Sequence, residues 1–394
     1  MIREELCIAL VIDHPAQHFA RALQLLAAEP GLRTHVLYGA IPEHSFDVGF
    51  ARTISWDVDL LGGYPWSAPE TGWKTAWLFR ELRRTGPDAV VCYGWAAPIA
   101  RAAITYCLLA RRPLLMYGDT TWQHSSTGRP RMARSTALNL LLRGCAGAVS
   151  TGAFNREFYI QHGMNPRRIW PGVCPADIEP FEAARAGRRH LPGVDELRVG
   201  FAGKLIPRKG VEELIRAAAL LPPALAWSVT VIGDGPLLPA MQALAAELGL
   251  RERVIFHGFA NTTQMPKLLA DFDVVVVPSR LDMRVLVTIE AMAAGAAVIV
   301  SNATAVWGLG DLIEDGVTGL VYRSGDPDML SGQLRRLLED QALLSRLQRD
   351  GAQRAARFGP AAFASTMRDA IRMCLSEREV SPDGRESPRG RGGR

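Results

Sequence analysis

Several protein classes are excluded by what the chain lacks. No apolar run reaches the roughly 20 residues that a membrane-spanning helix needs. Met1-Ile2-Arg3-Glu4-Glu5 leads into a short strand-like run, not the apolar region of a signal peptide. The expectation is a cytoplasmic protein. The six cysteines, Cys7, Cys92, Cys107, Cys145, Cys174 and Cys374, are scattered without any C-x-x-C spacing. Neither a zinc site nor a disulfide framework is indicated, and they read as small buried hydrophobes in a reducing compartment. Charge of one sign is also scarce, with 45 basic against 40 acidic residues and a net charge of +5. Part of that excess sits in the stretch 379–394, which has almost nothing apolar to bury and reads as a disordered tail. Its arginines are not interleaved with base-stacking aromatics, so nucleic acid is not an expected partner. A dinucleotide fingerprint is missing too. Gly200-Phe201-Ala202-Gly203 is not G-x-G-x-x-G, and Gly233-Asp234-Gly235-Pro236 places a proline where the fingerprint needs a free residue, which argues against a nicotinamide-dependent oxidoreductase.

What is present is a rhythm. At 394 residues and 48% hydrophobic content the chain is long enough for two cores. Leu6 to Ile12 is a continuous apolar run, and Ala16 to Ala28 then repeats apolar residues at helical spacing. The alternation continues through strands at Thr34 to Tyr38, Ala89 to Tyr93, Pro113 to Tyr117 and Ala148 to Thr151, with helices at Trp73 to Arg84 and Ala97 to Leu109. A second series starts at Leu197 and carries strands to Ala202, at Ser228 to Ile232, Val254 to His257, Val274 to Pro278 and Ala297 to Ser301. Apolar strands separated by amphipathic helices indicate an α/β protein with parallel sheets covered on both faces. Two such series predict two doubly wound units facing across a cleft, with ligands at the carboxyl ends of the strands. The expected division is 1–185 for the first domain, 186–358 for the second, and 359–378 for a helix that crosses back to the first. The linker is placed where the pattern weakens, from Pro171 to Pro175 and through Ala183 to His190, a stretch with no readable strand or long helix.

Two loops carry chemistry. Gly203-Lys204-Leu205-Ile206-Pro207-Arg208-Lys209-Gly210 follows a strand and opens a helix, so that free backbone amides and three basic side chains collect at one positive helix end. A diphosphate fits such a place. The second loop and helix, Pro278 to Gly295, hold Asp282 before the helix and Glu290 within it. An ionised carboxylate can accept two hydroxyl hydrogens, which suits the vicinal hydroxyls of a ribose or hexose. The plainer roles are a helix cap for Asp282 and an exposed helix position for Glu290. The neighbours Ile289, Ala291 and Met292 favour a buried, partnered Glu290.

The blocks Gly203-Lys204-Leu205 through Lys209-Gly210, Val231 to Pro236, Val254 to Gly258, Pro278 to Gly295 and Ile313 to Leu320 together resemble the family 4 retaining glycosyltransferases of GT-B fold. The resemblance is dense in the second half; the first half shares only the rhythm and a few strand-end loops. It implies transfer from a nucleotide-diphosphate-sugar donor to an acceptor that is a glycan, a lipid-linked molecule or a small molecule, with no cofactor or metal required. It implies that Lys204 and Lys209 neutralise the donor diphosphate, that Glu290 meets the nucleotide ribose, and that Asp282 reaches the transferred sugar. Gly203, Gly258, Phe259, Arg284, Val285 and Leu286 fall on the donor-binding blocks. His14, His18 and Asp119, at strand ends of the first half, are candidates for the acceptor or sugar side.

The chain departs from the family pattern at Asp282, where the family has glutamate, and at Arg284-Val285, where it has Phe-Gly. A Val side chain would obstruct close approach of backbone to phosphate, and Arg284 would offer a cation in its place. A non-catalytic sugar-nucleotide-binding protein that kept the fold is the alternative these departures motivate. Finally, Arg129, Arg131, Arg134 and Arg143 near Leu138 and Leu140 to Leu142 describe a basic amphipathic helix. It reads either as a peripheral contact with an inner membrane surface or as a helix packed on its own sheet.

Overall fold

A computed structural model describes residues 5–41, 45–70, 74–121, 130–172, 174–187, 196–283 and 285–380. The first half forms a seven-stranded sheet from β1 (Leu6–Ile12), β2 (Leu32–Tyr38), β5 (Trp66–Ser67), β6 (Ala89–Tyr93), β7 (Leu114–Gly118), β8 (Gly147–Ser150) and β9 (Ile169–Pro171). Its order is β5-β2-β1-β6-β7-β8-β9, parallel throughout. The second half forms a six-stranded parallel sheet from β10 (Leu197–Ala202), β11 (Trp227–Ile232), β12 (Val254–Gly258), β13 (Val274–Val277), β14 (Ala297–Ser301) and β15 (Leu320–Tyr322), in the order β12-β11-β10-β13-β14-β15. The central strands are buried on both faces, which is why their sequences are unbroken apolar runs: β13 is four valines and β14 has no exposed residue. In each sheet the strand order reverses beside the first strand, between β1 and β6 and between β10 and β13. The crevices at those reversals are where ligands bind in open α/β sheets.

Helices cover both faces. On the first sheet, α1 (Gln17–Ala27) and α13 (Pro360–Val380) share one core with Phe19, Leu23 and Leu26 against Phe363, Met367 and Ile371. Thus the last helix returns to the first domain, where Arg368 Nη1 lies 2.8 Å from Glu29 Oε2 and Arg372 donates to the Pro30 carbonyl. It runs two residues into the stretch expected to be disordered; 381–394 lie outside the described residues. The opposite face is covered by α2 (Lys74–Thr85), α3 (Pro98–Ala110), α4 (Pro130–Gly144) and α5 (Ala153–Gln161). In α4, Leu138 and Leu142 are buried and Leu140 is exposed. Arg129 and the side chains of Arg131 and Arg134 lie outside the described residues.

The segment expected to be an irregular linker contains a helix. α6 (Glu179–Ala186) starts with Pro180 in its first turn and acidic Glu179 and Glu182 at its positive end, and buries Phe181. It packs into the core of the second domain with Leu269, Ile289 and Met292, from α9 (Met265–Ala270) and α10 (Leu286–Ala293). The chain therefore leaves the first sheet just after Pro171. The remaining helices of the second domain are α7 (Val211–Ala219), α8 (Leu238–Glu247), α11 (Pro327–Glu339) and α12 (Gln341–Ala355).

Between β2 and β5 a small antiparallel hairpin stands outside both sheets, formed by β3 (Ser45–Asp47) and β4 (Arg52–Ile54). It belongs to the first domain in sequence and reaches the second in space. Arg52 lies over the Phe259 ring at 4.5 Å, Phe50 meets the same ring edge-on at 5.3 Å, and Asn261 Nδ2 donates to the Ser55 carbonyl at 2.8 Å. Elsewhere the domains meet through the Ala153 amide on Asp311 Oδ2 at 2.8 Å and through Phe154 against Trp307.

Candidate active site

A cleft of about 450 Å³ lies between the domains. Its walls are the ends of strands: Gln17 and His18 after β1, Gly203, Lys204, Arg208 and Lys209 after β10, Gly233 after β11, Phe259, Ala260 and Thr262 after β12, and Asp282, Leu286 and Glu290 after β13. Both sheets thus aim their crevices at one volume.

The loop after β10 is threaded by backbone hydrogen bonds. The Gly203 amide donates to the Ile232 carbonyl at 3.0 Å, Leu205 to Asp234 at 2.8 Å, and Gly233 to Gly258 at 2.8 Å. Gly210 has φ +68°, and a Cβ there would stand 2.0 Å from the Pro278 carbonyl oxygen. Only glycine lets this loop pass so close to the end of β13. The result presents Lys204, Arg208 and Lys209 together on the cleft.

These cations already hold acids. Lys209 Nζ lies 2.5 Å from Asp282 Oδ2, Arg208 Nη1 lies 3.8 Å from Asp282 Oδ1, and the Ser279 hydroxyl donates to Oδ2 at 3.3 Å. Asp282 is only 5% exposed, and its main chain is pinned to Ala303 and Ala305. Lys204 Nζ lies 2.7 Å from Asp47 Oδ2, an acid on the hairpin of the other domain. Burial works to raise the Asp47 carboxyl. Lys204, with the Phe50 and Gly49 amides that donate to Oδ1, outweighs it and holds the pKa below the usual carboxylate value.

Glu290 stands apart. It lines the cleft and is partly exposed, and removal from solvent pushes its pKa up to about 7. The buried, partnered acid expected from its apolar neighbours is instead a cleft-wall carboxyl for which no ion pair or hydrogen bond is found among the described residues. The reason is geometric: Ile289, Ala291 and Met292 point into the core behind α10, while Glu290 takes the opposite side of the same helix.

Among the other expected site residues, Gly203, Phe259, Val285, Leu286 and His18 all line the cleft, His18 with its ring 4.4 Å from that of Phe19. Gly258 ends β12 and supplies the carbonyl that receives Gly233, outside the cleft wall. His14 is exposed beside Asp13 at 3.5 Å, and neither it nor Asp119 reaches the wall. Arg284 lies outside the described residues. Val285 is 3% exposed, packs into the apolar cluster behind α10, and has φ −100°, a conformation that needs no glycine. It caps α10, whose first amides, at Leu286 and Val287, face a helix start with no intrahelical partner to meet.

Sequence reasoning missed the contribution of the first domain: Asp47, Phe50 and Trp56. The signal was the Asp47-Val48-Gly49 turn between two three-residue strands, too short for periodicity to register.

Residues 187–354 match the glycosyl transferases group 1 family model. An uncharacterized glycosyltransferase of Methanocaldococcus jannaschii is 36% identical over 183 residues, 46% of this chain and 44% of that protein. A D-inositol 3-phosphate glycosyltransferase of Mycolicibacterium gilvum is 30% identical over 281 residues, 68% of this chain and 56% of that protein. The chain thus spans about half the length of the curated relatives it matches. HepE of Anabaena, solved in complex with UDP, superposes with a TM-score of 0.71 at 19% identity, covering 94% of this chain and 100% of that one. The fold is GT-B, two Rossmann-like domains facing across a cleft, as the resemblance implied. Among the described residues no helix is long and apolar enough to cross a membrane.

Proposed function

We propose that the protein is a retaining, metal-independent glycosyltransferase that takes a sugar from a nucleotide-diphosphate-sugar donor. The observation that carries the reading is the convergence of Lys204, Arg208 and Lys209 with the start of α10 on one cleft, at the strand-order reversals of both sheets. Such an arrangement stabilises charge on a departing diphosphate. In this reading Phe259 borders the nucleotide base and the Glu290 carboxyl accepts ribose hydroxyls; both side chains line the cleft. HepE, with the same fold, has been solved with UDP-glucose.

In the proposed reaction the bond from the anomeric carbon to the diphosphate oxygen breaks and the bond to the acceptor oxygen forms on the same face. The acceptor proton passes to the leaving diphosphate, whose negative charge Lys204 and Lys209 balance. No protein base is required. Asp282 is then in reach of the transferred sugar once the diphosphate has taken over Lys209.

The acceptor is a glycan, a lipid-linked molecule or a small molecule, met by the protein in the cytoplasm, with α4 as the element for peripheral contact with anionic lipid. Flotation with anionic liposomes at low salt tests that contact, and absence of binding removes it. For the reaction itself, Lys209→Ala should lower transfer from a panel of nucleotide sugars at least a hundredfold, since loss of one preorganised charge contact costs about 10²–10³ in turnover, while its circular dichroism stays that of the wild type and its melting temperature falls because buried Asp282 loses its nearest cation. Turnover like that of the wild type would sink the reading.

A further inference from the structure

The hairpin β3–β4 carries two exposed apolar side chains, Phe46 and Val48, and two strands of three residues each. Two short paired strands are not stable alone. What it rests on is the second domain: Lys204, Phe259, Asn261 and Thr263 receive Asp47, Phe50 with Arg52, Ser55 and Asp57 respectively. Of these contacts one is electrostatic and enters the cleft. Asp47 presents an oriented anion there. Its Oδ1 accepts the Gly49 amide at 2.8 Å and the Phe50 amide at 3.1 Å, which leaves Oδ2 aimed at Lys204 Nζ.

The pairing is awkward for a site that must hold a diphosphate. Among the described residues Lys204 is one of three cations on the cleft, and with Asp47 and Asp282 in place two of those three charges are cancelled. A dianion arriving beside Asp47 meets like charge as well. Asp282 is buried and tied to its own loop; Asp47 sits on a small hairpin with part of its carboxyl in solvent. Of the two acids, the hairpin acid is the one that can move away.

We infer that Asp47 is an internal anion that holds Lys204 in the donor-free protein and yields it to the donor diphosphate, so that a residue of the first domain sets donor affinity. This rests on the proposed donor site. Asp47 is not placed on the reacting atoms; it acts through Lys204.

The test is calorimetric titration of wild type and Asp47→Asn with UDP, GDP, ADP and dTDP. Asparagine keeps an oxygen for the Gly49 and Phe50 amides and loses the charge. Should that variant fold poorly by circular dichroism, Asp47→Ser, whose hydroxyl also accepts an amide, replaces it. The expected result is about twofold to fivefold tighter binding of the best nucleoside diphosphate, the scale of a partly exposed ion pair. In a Lys204→Gln background the same change should tighten binding by less, because only the direct repulsion between Asp47 and the diphosphate is left to relieve, whereas a purely structural role for Asp47 predicts equal effects in the two backgrounds. Equal or weaker binding by Asp47→Asn overturns the inference and leaves the donor site standing. If neither protein binds any of the four, the donor reading falls, and this inference with it.

Discussion

Replacing Glu290 with glutamine asks whether a carboxyl in the cleft wall is held out of water at a cost to the fold. Its pKa rises from 4.5 to about 7 through loss of solvent. The folded state therefore holds this proton more tightly than the unfolded chain. Between pH 4.5 and 7 the folded protein binds more protons, so stability falls as pH rises through that window and levels off above it. At about 1.36 kcal/mol per unit, the shift corresponds to about 3 kcal/mol as an upper bound, since part of the residue keeps contact with solvent. Glutamine has the same shape and no charge to desolvate. Urea unfolding of both proteins, followed by tryptophan fluorescence, should give equal stabilities near pH 4.5 and a more stable Glu290→Gln at pH 8, by about 1–3 kcal/mol. Ligand binding should move the other way, because the ionised carboxylate is the better acceptor of ribose hydroxyls. Nucleotide affinity of the wild type should climb as pH passes 7 and stay flat in the variant. A stability difference between the two proteins that does not change from pH 5 to pH 8 would refute the reasoning.

Two further changes test the scaffold. Gly210→Ala puts a Cβ 2.0 Å from the Pro278 oxygen at φ +68°, and should cost about 3 kcal/mol or more in melting experiments, whereas Gly258→Ala, at φ +83° with open space around it, should cost about 1 kcal/mol. Phe363→Ala empties a position on α13 that is buried against Phe19 and Tyr117, and calorimetry should show the first domain destabilised by about 3–5 kcal/mol with the transition of the second unchanged.

Strands such as β10 and β13 were legible because a strand buried on both faces must be an apolar run, and α7 because one face of it had to meet that sheet. The β10 loop was legible for a different reason: three basic residues between two glycines at a strand end have few structural uses. The parts that were not legible depend on contacts distant in sequence. Nothing near Asp47 predicts that it meets Lys204, 157 residues later. Nothing in the Arg284-Val285 pair says that the valine side chain turns into the core. The orientation of Glu290 was misjudged because its apolar neighbours are on the far side of one helical turn. α6 escaped because eight residues bounded by proline and glycine give periodicity little to act on.

The return of α13 to the first domain means that the chain passes between the domains twice, after Pro171 and again before Pro360. The two passages touch: a Cβ on Gly359 would stand 2.9 Å from Ile178 Cδ1. Any turn of one domain against the other about that seam must therefore break the hairpin's contacts with Lys204, Phe259 and Asn261 and those of Ala153 and Phe154 with Asp311 and Trp307.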